Sequence, residues 1–205
     1  MLKDMFNIIV RIFGITYRLA KKSELKKYVD ENFDVPKSIE LVLVITAIHL
    51  IFLVAKDDLE FGFWGTVAYE LTTALDIIFS AICITFGLFA TSTISGKPPR
   101  FRENLIYSII IVTMIWIITV GGNTFISIIT DTQRQNAIDS YSFWIRSLLA
   151  SVVLMFGSRN LLIERDIDWL GMIIGYGLYF GLSVLIDQWT GKSIVSWIAG
   201  KISNL

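Results

Sequence analysis

Residues 105–129 read LIYSIIIVTMIWIITVGGNTFISII. A run of this length without a charged side chain, rising about 1.5 Å per residue as an α-helix, crosses a hydrocarbon core of about 30 Å. It therefore predicts a membrane span. The flanks orient it: residues 97–102, KPPRFR, carry three positive charges, whereas residues 130–140 carry only Arg134. Loops rich in Lys and Arg stay cytoplasmic, so the chain is expected to enter this span from the cytoplasm.

Four further apolar runs are predicted to span, at about 39–55, 67–94, 141–163 and 169–186. The first is the shortest, the second contains Glu70 and Asp76, and the fourth is interrupted by Arg146, so a four-span count stays open. The whole composition agrees with lipid as the solvent. Over 205 residues, 54% are hydrophobic and the mean hydropathy is +0.64, which would leave a water-soluble domain with large exposed apolar patches. Formal charge sums to zero, yet thirteen Lys and Arg fall in the segments assigned to the cytoplasm and four in those assigned outside. Every loop obeys the rule only with five spans, the N-terminus inside and the C-terminus outside.

The expected fold is thus all-α: a polytopic transmembrane helix bundle of residues 36–187, preceded by an amphipathic segment 1–35 and followed by a short interfacial helix within 188–205. In the N-terminal segment, Asp4, Asn7, Arg11, Gly14, Arg18 and Lys21 or Lys22 recur at steps of three and four, drawing a narrow polar stripe along an otherwise apolar helix. Such a helix is expected to lie in the membrane interface among anionic headgroups. Arg11 and Arg18 also interrupt the apolar region too early for a cleavable signal peptide. Ser23 is predicted to cap a second, hydrophilic helix over about 24–33, ending before Pro36. The three prolines, Pro36, Pro98 and Pro99, lie outside the spans, whereas transporters built on broken helices interrupt them. Trp64, Trp144, Trp169 and Trp189 sit near span ends as interfacial anchors.

Ionisable groups within lipid cost roughly 2.5 to 3.5 kcal/mol each near the centre, so each requires a role. Counting back from the span ends places His49, Asp76, Asn123 and Arg146 in one layer, roughly 8 to 10 Å below the outer boundary. On one reading the four face each other as a polar cluster. On the other, Arg146 snorkels, His49 bonds a carbonyl, and Asp76 pairs with Arg146. Span five holds Gly171, Gly175, Gly177 and Gly181, two small-xxx-small pairs on different sides, which predict close packing on two neighbours, either both within the bundle or one of them another subunit.

Catalytic patterns are missing. A single His and a single Cys cannot assemble the usual zinc site, and no phosphate-binding glycine loop occurs, so neither metal nor cofactor is expected. Ser158 is placed on the opposite side of the membrane from His49, which separates the two as a hydrolase pair. Nucleic-acid binding is not expected either, because Arg11, Arg18, Lys21 and Lys22 border an apolar face suited to lipid.

The stretch Ser95-Gly96-Lys97-Pro98-Pro99-Arg100-Phe101-Arg102, followed by Tyr107, resembles the short basic loop between spans two and three of the Yip family, small five-span proteins with a cytoplasmic N-terminus. That resemblance implies a non-enzymatic, membrane-organising protein. In size and character the chain is also similar to the membrane subunit of the Kiwa antiphage defence system, which implies pairing with a cytoplasmic protein. The function expected is that of an oligomeric inner-membrane sensor or scaffold. Its cytoplasmic partner and lipid would dock on Arg11, Arg18, Lys21, Lys22, Lys26, Lys27, Lys97, Arg100 and Arg102. Removing residues 1–35 is expected to abolish recruitment and leave insertion intact. An ion channel or small transporter using the polar layer is the alternative.

Overall fold

Proline and glycine set where the helices begin and end. The computed structural model describes residues 2–55, 62–129 and 135–190, and all regular structure among them is helical. The order is α1 (Leu2–Arg18), α2 (Lys22–Asn32), α3 (Val35–Ala55), α4 (Gly62–Ile94), α5 (Phe101–Trp116), α6 (Gly122–Ile129), α7 (Gln135–Gly157) and α8 (Asp166–Thr190). Two π-turns continue helices: Ile117–Gly121 joins α5 to α6, and Ser158–Leu162 extends α7. Pro36 falls in the first turn of α3, where its missing N–H has no helical partner to lose, while Pro98 and Pro99 precede α5. Gly96 closes α4 with φ +66, and Lys97 N donates to Ser92 O while Gly96 N donates to Thr93 O. That crossed pair satisfies the last carbonyls of the helix and turns the chain toward α5.

Five segments are long and apolar enough to cross a membrane: Val35–Ala55, Gly62–Ile94, Phe101–Thr124, Ser142–Leu162 and Asp166–Gln188. The chain is therefore a multi-pass helical membrane protein. Its second span begins at Gly62 rather than near 67 and runs for 33 residues, about 50 Å at the helical rise, so it projects beyond the hydrocarbon or tilts within it. The second helix also differs from expectation. Its N-cap is Lys21, and Ser23 lies inside the first turn without capping it, because Leu25 N already donates to Lys21 O. Of the helix expected within 188–205, residues 188–190 end α8, and 191–205 lie outside the described residues, as do 56–61 and 130–134.

The central element is α4, which packs against α3, α5 and α8. Its contact with α8 depends on glycine. A Cβ on Gly175 would stand 2.5 Å from Ile84 Cα, and one on Gly87 would stand 2.1 Å from Gly171 O. No side chain fits between these backbones, and their close approach gives dispersion contact along both helices.

The N-terminal pair does not form a separate platform. Ile8 and Ile15 of α1, together with Leu25, Val29 and Phe33, share one buried cluster with Tyr107, Ile110, Val153 and Leu161 of the bundle. The opposite face of α1 stays open, with Phe6 and Phe13 exposed. Because the apolar surface of α1 covers most of its circumference, it meets the bundle on one side and leaves another free. The polar stripe between them turns toward α2: Arg18 stacks 4.5 Å from the Tyr28 ring centroid and donates to Gly14 O, while Arg11 lies 5.8 Å from the Phe33 ring. Both arginines, expected as docking groups, thus also make contacts within the chain.

Candidate functional site

Among the described residues of the spans, the most enclosed ionisable pair is His49 with Glu70. The two residues lie on either side of the α3–α4 connection, and the antiparallel hairpin brings His49 Nδ1 to 2.8 Å from Glu70 Oε1. Both side chains are buried, at 7% and 4% exposure. On the other side of the ring, Nε2 lies 2.7 Å from Thr124 Oγ1, just beyond the π-turn. Trp116 of α5 presents an edge contact with the imidazole at 5.1 Å between centroids. Three helical segments are thus joined through one ring. Glu70 Oε2 is buried with no hydrogen-bond partner, a costly arrangement for a carboxylate oxygen within lipid.

The four residues predicted to share one layer do not meet as a cluster. Asp76 accepts a hydrogen bond from Tyr179 OH of α8 at 2.8 Å. Arg146 bonds two carbonyls: Nη1 donates to Thr119 O at 2.6 Å and Nε to Ser142 O at 3.2 Å. Asn123 is exposed. The expected Asp76–Arg146 ion pair is not formed, and each finds a nearer partner for a physical reason. Thr119 O lies within the π-turn, and Gly122 leaves room for the arginine stem, since a Cβ there would stand 3.2 Å from Arg146 Cδ. Asp76 meanwhile faces α8.

Glu70 is not in the expected layer, and it lies deeper than a span beginning near 67 would put it. With the helix starting at Gly62, Glu70 is eight residues inside one arm of the hairpin and His49 six inside the other. Depths within two residues of each other on the two arms are the signal for pairing.

A second concentration of charge lies where α2, the α4–α5 turn and the α7–α8 turn meet. Glu164 accepts from Lys26 Nζ at 2.7 Å and from Arg100 Nη1 at 2.6 Å. Lys22 Nζ donates to Ile163 O, and Asn160 Nδ2 donates to Leu19 O. Tyr107 OH donates to Asp30. Arg165 reaches Ser95 and Ser92 and pairs with Asp168, whose carboxylate also caps the backbone N–H groups of Glu164 and Arg165. A cavity of about 230 Å³ is lined here by Lys97, Arg100, Glu103, Glu164, Arg165 and Asp168. The Glu164 carboxyl is held below its ordinary value, chiefly by the Lys26 hydrogen bond, with the charges of Lys26 and Arg100 acting in the same direction against partial burial.

The expected docking residues divide accordingly. Lys22, Lys26 and Arg100 lock this end together. Lys21 pairs with Glu24 at 3.1 Å and Lys27 with Glu31 at 3.9 Å on the exposed side of α2. Lys97 and Arg102 are exposed. Of the four glycines of span five, Gly171 and Gly175 are occupied by α4, whereas Gly177 and Gly181 have open space where a Cβ would stand. Among the described residues no group of three His, Cys, Asp or Glu side chains could hold a metal ion. No family model matches this chain, and neither a curated protein nor a solved structure does.

Proposed function

We propose that the chain is a non-enzymatic, oligomeric scaffold of the inner membrane that recruits a cytoplasmic protein to its charged end. In this reading the N-terminus is cytoplasmic and the C-terminus outside, as the distribution of Lys and Arg favours. The observation that carries it is the convergence of three sequence-distant segments on Glu164, which clamps Lys26 of α2 and Arg100 of the α4–α5 turn. Clamping preorganises the end face. A partner then meets a surface whose ordering entropy is already spent within the fold. Lys21, Lys27, Glu31 and Arg102 remain outward for electrostatic recognition, and such rim charges govern encounter and register. The resemblance to the antiphage membrane subunit points to the same arrangement, with defence as the setting. Oligomerisation is assigned to the Gly177/Gly181 face, the glycine pair that α4 leaves uncovered.

Deletion of residues 1–35 is a poor test, because it would remove Ile8, Ile15, Leu25, Val29 and Phe33 from the core. Charge reversal is better. The combined Lys27→Glu and Arg102→Glu variant should insert and fold normally yet lose a protein that copurifies with the wild type. If the same protein still copurified at the wild-type ratio, this docking surface would be wrong. The channel alternative needs His49, Asp76, Asn123 and Arg146 on one path, and their separate partners favour the scaffold. Proton or ion flux in reconstituted vesicles that Asp76→Asn abolished would favour the channel instead.

A further inference from the structure

We propose that the His49–Glu70 pair is a buried proton-binding site, filled by one shared proton at rest and able to take a second at Glu70 Oε2. The contact itself requires the first. At 2.8 Å between Nδ1 and Oε1, two facing lone pairs would repel, so one proton lies on that line, either on the ring nitrogen or on the carboxyl oxygen. Both forms leave the pair neutral overall. On the far side of the ring, Thr124 Oγ1 lies 3.4 Å from Val120 O, to which its hydroxyl donates. Its lone pair therefore accepts from Nε2–H. The ring is thereby fixed in one orientation, with Nδ1 directed at Glu70.

The site for a second proton is the oxygen left over. Glu70 Oε2 is buried and unpartnered, and a lone pair in that position has no protein donor to satisfy it. A proton arriving as hydronium adds there: an O–H bond forms at Oε2 as one O–H bond of the hydronium breaks, its electron pair staying on the water that leaves. The product is an imidazolium beside a neutral carboxylic acid, carrying one net positive charge. Among the described residues no neighbouring group neutralises it. Trp116 and Thr124, from α5 and α6, are uncharged. Asp76, farther along α4, is held by Tyr179, and Arg146 of α7 is occupied at Thr119 O. From α1, Arg11 and Arg18 face aromatic rings. Among the described residues neither His49 nor Glu70 has another ion-pair partner. An uncompensated buried charge is strongly unfavourable. The second proton should accordingly loosen the end of α3 from α4 and α6, which the pair otherwise ties together. This site stands whether or not the charged end recruits a protein.

The chain has one histidine, so its ring can be observed without ambiguity. Full-length protein labelled with ¹⁵N-histidine in lipid bilayers should show Nε2 protonated and Nδ1 sharing its proton with Glu70 at neutral pH, and the Nδ1 signal should move to that of a full imidazolium on acidification. In Glu70→Gln the proton concentration at half-conversion should change by about tenfold or more, the equivalent of one pH unit, while Asp76→Asn should leave it unchanged. Amide exchange near residue 49 should accelerate over the same interval in the wild type. Ring signals that stay fixed while the helices remain folded would overturn the proposal, as would identical titration in Glu70→Gln. Conversion without any change in exchange would overturn the loosening.

Discussion

The value of a polar residue inside this bundle depends on which partner the packing gives it. Asp76 and Arg146 are bonded to different elements, so their truncations to Ala should add within about 0.3 to 0.5 kcal/mol, the tolerance for independent sites. His49 and Glu70 touch directly, and a double-mutant cycle on that pair should show coupling of about 0.5 to 3 kcal/mol. Reversible unfolding in micelles measures both. Coupling between Asp76 and Arg146 equal to that of the dyad would contradict the separation described above. Glu164 supplies the pH-dependent counterpart. Its carboxyl is held below the ordinary 4.5, so its stabilising linkage is complete above that value and is lost as pH falls through the lowered one. Acidification through that interval should speed amide exchange in α2, and Glu164→Gln should show the faster exchange already at neutral pH. Counting from span ends found His49, Asp76 and Arg146 as residues needing partners. It could not supply the partners, because depth specifies a layer and leaves direction around each helix open.

Among the elements, the glycines of α8 separate two kinds of contact. Gly175→Ala forces a methyl group against the backbone of Ile84 and Cys83, and overpacking of this kind typically costs about 1 to 3 kcal/mol. Gly177→Ala enters open space and should stay within about 0.5 kcal/mol of the wild type in monomer stability. Thermal unfolding of the two variants side by side checks the contrast. Larger side chains at the open pair, as in Gly177→Leu with Gly181→Leu, should reduce cross-linked oligomer without unfolding the bundle. The repeat spacing predicts close packing of span five on two sides, and the α4 side carries Gly171 and Gly175. Which pair meets α4 followed only from the rotation of α8 once Gly87 was seen opposite it. The α1 stripe is equally visible as a period of three and four, but the packing of one apolar face on the bundle is not. A helix this apolar can meet a protein core or lipid equally well, and sequence periodicity alone does not distinguish them.

For the molecule as a whole, hydrophobic run length and loop charge made five spans legible, since a membrane imposes length on any helix that crosses it. The integration of the first two helices was not legible, because it arises from long-range contacts such as Leu25 with the bundle core. Leu25→Ala should therefore destabilise the entire fold by about 2 to 5 kcal/mol, the range for a buried leucine. A melt in which only the N-terminal helices responded would contradict that unity. The π-turn at Ile117–Gly121 bears on the same cooperativity. A π-turn accommodates one more residue per hydrogen-bonded ring than the regular helix. Shortening it by one residue should restore an unbroken ladder while keeping the flanking segments in register. The penalty would appear elsewhere, in an arginine deprived of the carbonyl at Thr119. Here a flaw in one helix is the socket for another, and straightening the first would strand a cation in oil.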